Sequence, residues 1–156
     1  MTVDGRIFQK AFLVFLVIAL TGCGGPSPTR IKGNITTSQD VNPDAAGQPS
    51  PVVIRIYQLR SAGPFMDPDF FELYENGVAT LGENLITWEE LLLQPGVDLE
   101  YNTKFDPETK YLGLIVGYRD IENARWRELV TIPDKRKVHL YIQLDSLAVS
   151  ASTGKR

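Results

Sequence analysis

Side chains equipped for chemistry are few in this chain, and their scarcity limits the reactions open to it. Among 156 residues there is one cysteine, Cys23, and one histidine, His139. A lone thiol makes no intrachain disulfide and no thiolate-rich metal site. A lone imidazole excludes multi-histidine centres and forces any Ser-His-Asp or Cys-His relay through one position. That position lies between Lys137 and Tyr141 on the polar side of an alternating segment, with no G-x-S-x-G elbow, P-loop or G-x-G-x-x-G motif in the chain. The carboxylate pairs Asp67/Asp69 and Asp106/Glu108 each enclose a proline. That suits caps and turns better than a paired acid and base or a calcium loop. Arg119, Arg125, Trp126 and Arg127 gather cations around an aromatic ring, yet on a strand Trp126 points away from Arg125 and Arg127. The pattern predicts a core tryptophan between solvated arginines. With 16 Lys+Arg against 19 Asp+Glu, the net charge of -3 argues against binding a nucleic-acid backbone. The sequence therefore offers no catalytic residue, no metal site and no cofactor site, and the expected protein is not an enzyme.

The surroundings of Cys23 give the thiol a different use. Arg6 and Lys10 precede an unbroken apolar run, Ala11 to Leu20, followed by Thr21-Gly22-Cys23. Ten apolar residues in a helix span about 15 Å, half the hydrocarbon thickness of a bilayer. Basic flank, short apolar core and small residues before a cut are the parts of a secretory signal peptide. Leu20-Thr21-Gly22-Cys23 resembles the bacterial lipobox, which implies cleavage after residue 22 and acylation of Cys23. Each buried acyl methylene contributes about 0.8 kcal/mol, so several chains on Cys23 make a lasting anchor. Gly24 follows where an aspartate commonly retains such proteins at the inner membrane, so the expected location is the outer membrane, facing the periplasm. Without its first 22 residues the chain has 134, and losing Arg6, Lys10 and Asp4 takes the charge from -3 to -4. Residues 23–29 are the lipidated N-terminus and a Gly/Pro/Ser linker that reaches at most about 20 Å.

The remainder must form the folded domain. Ile31 to Ile35, Val97 to Phe105 and Val138 to Leu144 alternate apolar with polar residues, as half-buried strands do. Val52 to Leu59 and Tyr111 to Tyr118 are apolar on both sides, which predicts strands covered on both faces. Arg125 to Ile132 adds another strand. Pro95-Gly96, Asp106 to Thr109 and Pro133 to Lys135 supply the turns. Short strands at this spacing predict a mainly β fold, an antiparallel β-sandwich over residues 30–150, with residues 151–156 as a C-terminal tail. One helical addition interrupts it near residues 64–84: Asp67 as cap, Pro68 at the first turn, Phe70, Leu73 and Tyr74 on one face, and Gly77 as stop. Residues 78–93 read as a helical turn followed by a strand.

Between the first two confident strands runs Asp40-Val41-Asn42-Pro43-Asp44-Ala45-Ala46-Gly47-Gln48-Pro49-Ser50-Pro51, longer than a hairpin needs and stiffened by three prolines. Such a shaped protrusion on a rigid scaffold suits binding.

The lipobox, NPDAAGQPSPVVIRIYQL from Asn42, DFFELYE from Asp69 and YLGLIVGYRDIENARWR from Tyr111 together resemble the outer-membrane lipoprotein family of type VI secretion, TssJ (VasD or SciN-like). The resemblance implies a transthyretin-like antiparallel β-sandwich with a short helical addition, lipidated at Cys23 and anchored in the outer membrane. It implies a place in the type VI secretion membrane complex, docked to the periplasmic C-terminal region of the inner-membrane subunit TssM. The loop that makes this contact maps to Asp40, Val41, Asn42, Pro43, Asp44, Ala45, Ala46, Gly47, Gln48 and Pro49. A second reading is a periplasm-facing lipoprotein that binds a small ligand or envelope glycan in a pocket near Trp126.

Overall fold

The structure is a computed structural model that describes residues 27–154. The signal peptide and the lipidation of Cys23 lie outside the described residues. The elements run β1 (Thr29–Thr37), β2 (Val52–Leu59), α1 (Gly63–Met66), α2 (Phe70–Leu81), a 3-10 turn (Gly82–Asn84), β3 (Leu85–Leu93), β4 (Asp98–Phe105), β5 (Tyr111–Val116), β6 (Arg127–Thr131), β7 (Lys137–Leu144) and β8 (Val149–Thr153). They form a β-sandwich of two four-stranded sheets, ordered β4-β1-β7-β8 and β3-β2-β5-β6. Alternation decides what each strand buries. In β1 Ile31 and Ile35 face the other sheet, in β7 Val138, Leu140, Ile142 and Leu144 do, and both sets are buried in one core cluster with Ile54, Ile56, Leu112 and Leu114.

The two strands that lack alternation are central in their sheet, and the second sheet is covered on both sides. Tyr57, Leu59 and Ile115 point away from the sandwich core and pack against Phe65, Leu73 and Leu81 of the helical insertion. Gly113 makes room for this layer: a Cβ there would stand 2.6 Å from Cε2 of the Phe65 ring. The insertion is thus a third, partial layer held by aromatic and aliphatic burial, since helices this short have little stability of their own.

Several details differ from the sequence reading, each for a local reason. The cap of α2 is Asp69, whose carboxylate accepts the Glu72 N–H at 2.8 Å, while Asp67 closes the separate turn α1. The helix does not stop at Gly77. It bends at Asn76, continues to Leu81 and ends at Gly82, whose φ of 49° favours glycine. Gly77 serves packing instead, because a Cβ there would lie 3.1 Å from the Tyr57 hydroxyl. One strand pair, β1 with β7, is parallel in an otherwise antiparallel sandwich. The chain also stays in the sheet past residue 150: β8 pairs with β7 through Thr153, so residues 151–153 are strand and not tail.

Candidate partner-docking surface

Strand direction sorts the loops into two ends. β1 runs away from the N-terminus, and the loops that follow β1, β3, β5 and β7 all gather at the far end. A strand of nine residues puts the two ends about 30 Å apart. The β1–β2 loop is the longest feature of this far end.

Its root is built in. Val41 is fully buried, and Asn42 is 3% exposed with φ 51°, a left-handed conformation that asparagine tolerates better than most residues. Asn42 ties its backbone N–H and both polar atoms of its side chain to the framework. Its N–H donates to the Ser146 carbonyl at 2.9 Å, its Nδ2 to the Pro51 carbonyl at 2.7 Å, and its Oδ1 accepts the Arg119 N–H at 2.7 Å. Ser50 closes the base by donating its N–H to the Val41 carbonyl at 3.1 Å. Beyond this root the loop folds on Asp44. The carboxylate accepts the N–H groups of Ala46 and Gln48, both at 2.9 Å, and the Asp44 N–H donates to the Gln48 carbonyl at 2.9 Å. Gly47 takes the positive φ of 77° that the turn requires.

The ten residues expected to contact a partner therefore divide. Val41 and Asn42 are buried and act as hinge pins. Ala45, Ala46, Gly47, Gln48 and Pro49 are exposed at the tip, Asp40 is exposed before the root, and Pro43 and Asp44 are half-buried. With the N–H groups of Asp44, Ala46, Gly47 and Gln48 bonded within the loop, this tip presents a small shape that loses little entropy on docking.

Residues that the loop-centred reading left out join it in space. Pro43, Asp44 and Ala45 form one wall of a concavity of about 450 Å³ whose other wall is Arg119, Asp120 and Leu147. The sequence signal was the Gly117-Tyr118-Arg119-Asp120 segment after β5, which periodicity alone assigns to a strand end. Tyr118 is buried there, its phenol pKa raised by lost solvation and by the nearby Asp145 charge.

Trp126 is half-buried in aromatic packing. Its ring meets Phe70 edge-on at 5.2 Å between centroids, and the Arg127 guanidinium lies over it at 4.7 Å. Arg127 is half-buried and donates to the Phe65 and Pro68 carbonyls at 3.1 and 2.8 Å, clamping the insertion to the sheet. Its pKa is lowered by desolvation, against the pull of Asp67. The other flank, Arg125, is exposed yet donates Nε to the Val149 carbonyl at 3.0 Å.

The described residues thus form a β-sandwich that gathers loops at the end away from its N-terminus, one of them braced at its root and exposed at its tip. The chain belongs to the type VI secretion lipoprotein family T6SS-SciN (VasD, EvfM, TssJ), whose model matches residues 29–147. It is similar to the type VI secretion lipoprotein TssJ1 from Pseudomonas aeruginosa, with 34% identity and a TM-score of 0.79 over 83% of this chain and 99% of that one. The fold is shared with Serratia marcescens Lip, a membrane-bound component of the type VI secretion system, at 24% identity and TM-score 0.74, covering 83% of this chain and all (100%) of that one. It is shared too with a chain in a structure of the TssM C-terminal domain (869–1107) from EAEC, at 23% identity and TM-score 0.64, over 79% of this chain and 97% of that one. No curated protein matches the sequence. The chain is thus a type VI secretion lipoprotein.

Proposed function

We propose that this lipoprotein is anchored by acylated Cys23 in the outer membrane, faces the periplasm, and docks the periplasmic C-terminal region of TssM through the β1–β2 loop. The observation that carries the reading is the braced root and bare tip of that loop, at the end of the sandwich remote from the anchor. The occurrence of this fold in a structure of the TssM C-terminal domain supports the choice of partner. Arg119, Asp120 and Leu147 extend the contact, because they face the loop across the shared concavity.

Two measurements test the two halves separately. Cys23→Ser should release the protein from the outer-membrane fraction, and a variant that still fractionates wholly with that membrane refutes the anchor. Shortening residues 44–48 should abolish binding to the TssM periplasmic region while thermal unfolding remains cooperative. Unchanged affinity refutes the loop. Trp126 packs against Phe70 and Arg127, which favours the docking reading over a ligand pocket at that position.

A further inference from the structure

The outer face of the β4-β1-β7 sheet carries an arrangement that works against its own stability. Arg30 pairs with Lys104 on one side and with Lys137 on the other, so three cations stand abreast on adjacent strands, all exposed. Like charges directly opposite one another destabilise a sheet. The next outward row is Asn102, Lys32 and His139, which adds a further cation and no acid. Neither ion pair among the described residues, Arg55–Glu90 or Arg60–Glu108, involves any of these side chains. Arg136 joins them where Ser27, Pro28, Arg30, Lys104, Arg136 and Lys137 surround a concavity of about 360 Å³. The acids in the turns of this end, Asp106, Glu108 and Asp134, leave the balance positive, since Glu108 is paired with Arg60.

Farther along the same face the charge reverses. Asp98 and Glu100 occupy the outward positions of β4 toward the far end, and Asp145 follows β7. Amide donors bond all three: Asn34 to Asp98 at 2.5 Å, Asn102 to Glu100 at 2.5 Å, and Gln143 to Asp145 at 2.6 Å. On a chain of net charge -3, the gathering of bare cations at one end is a polarity of the molecule.

The position of that end identifies what would balance it. Ser27 is four residue steps from Cys23, at most about 14 Å of chain. We infer that the Arg30–Lys104–Lys137 row and Arg136 form a docking surface for anionic lipid headgroups of the membrane that holds the anchor. This rests on the reading of Cys23 as the acylated residue, which supplies the proximity. The headgroup phosphates neutralise the three abreast cations, and the acidic far end is repelled, so the sandwich stands on its N-terminal end. The β1–β2 loop then projects away from the bilayer, about one strand length out.

The test uses the domain from Ser27 onward, lacking Cys23, so that its failure leaves acylation untouched. Such a domain is a folding unit, since 83% of this chain spans 99% of the solved Pseudomonas relative. Its partition is measured onto vesicles of phosphatidylcholine alone and onto vesicles in which one lipid in three is phosphatidylglycerol. Each basic side chain near an anionic surface contributes about 1 kcal/mol, so the triple variant Arg30→Ala/Lys104→Ala/Lys137→Ala should lower the partition coefficient on anionic vesicles about 100-fold. The same variant should unfold at a temperature equal to or above the parent's, because it removes a repulsion and no internal bond. Equal partition on the two vesicle types, or an unchanged coefficient for the folded triple variant, overturns the proposal. So does displacement from vesicles by low-millimolar inorganic phosphate at constant ionic strength, which would identify a site for the free ion.

Discussion

The Arg119 backbone N–H donates to Oδ1 of Asn42 at 2.7 Å, joining residues 77 positions apart in the chain. This bond fastens the loop that enters β2 to the loop that leaves β5. Together with the bonds of Asn42 to Pro51 and Ser146, it fixes the direction in which the tip leaves the sandwich. Asparagine is the side chain that meets all the demands, combining a donor, an acceptor and tolerance of positive φ.

Replacing it separates orientation from contact. Asn42→Ala strands the Pro51 carbonyl and the Arg119 N–H in a part-buried site and strains the backbone, at a total of about 1–3 kcal/mol. Urea unfolding should show that loss, and affinity for the TssM region should fall although the tip residues are unaltered. Asn42→Asp keeps the acceptor but sets a carboxylate oxygen against the Pro51 carbonyl in a residue only 3% exposed, so it should cost at least as much. A loop that docks equally well in both variants would show that the root does not aim it.

At the tip the expected balance is the reverse. Ala46 is exposed, and its N–H bonds Asp44 through the backbone alone, so Ala46→Arg leaves the turn intact. Such a surface change should shift stability by less than about 0.5 kcal/mol. If the tip is seated against a partner, the added bulk should weaken binding at least about tenfold, or 1.4 kcal/mol. Titration calorimetry with the TssM region reads the effect, and full affinity in the Ala46→Arg protein would move the contact off the tip.

Between β5 and the insertion the packing leaves no spare volume. Phe65 is fully buried with its ring against Gly113. Gly113→Ala should destabilise by about 1–3 kcal/mol through overpacking. Phe65→Leu in the same chain should recover part of that loss, giving a coupling energy that a double-mutant cycle can resolve. Strict additivity of the two changes would mean that the ring does not bear on position 113.

Alternation makes the strands legible, and the doubly apolar runs Val52–Leu59 and Tyr111–Val116 locate the sheet that is covered on both faces. What alternation cannot supply is information carried by other parts of the chain. Gly77 reads as a helix stop because glycine commonly is one, but it is kept small by Tyr57, twenty residues earlier. Arg127 reads as solvated because its strand position points outward, yet outward on that sheet means into the insertion, where carbonyls of Phe65 and Pro68 receive it. The loop is legible as a stiff protrusion from its prolines. Its division into pins and tip is not, because the partners of Asn42 include Arg119 and Ser146, far away in sequence.

Alkali should find the fold's weak side. Tyr57, Tyr101 and Tyr118 are 2%, 7% and 4% exposed, and each phenol has its pKa raised by burial. At Tyr101 the hydroxyl also donates to the Glu89 carboxylate across the open edge between β4 and β3, which holds the proton further. A folded state that keeps these protons longer than the unfolded chain gains from them below the ordinary tyrosine pKa of about 10, and loses that gain as pH rises above it. The urea midpoint should therefore fall with increasing steepness beyond about pH 10. Tyr118→Phe sacrifices only a long hydrogen bond, 3.3 Å to the Asp145 carbonyl, and leaves a ring of the same shape in place. Its midpoint should start slightly below the parent's at neutral pH and decline less steeply in alkali, so that the two curves converge. Parallel curves would mean that Tyr118 keeps its proton no longer in the folded protein than in the unfolded chain.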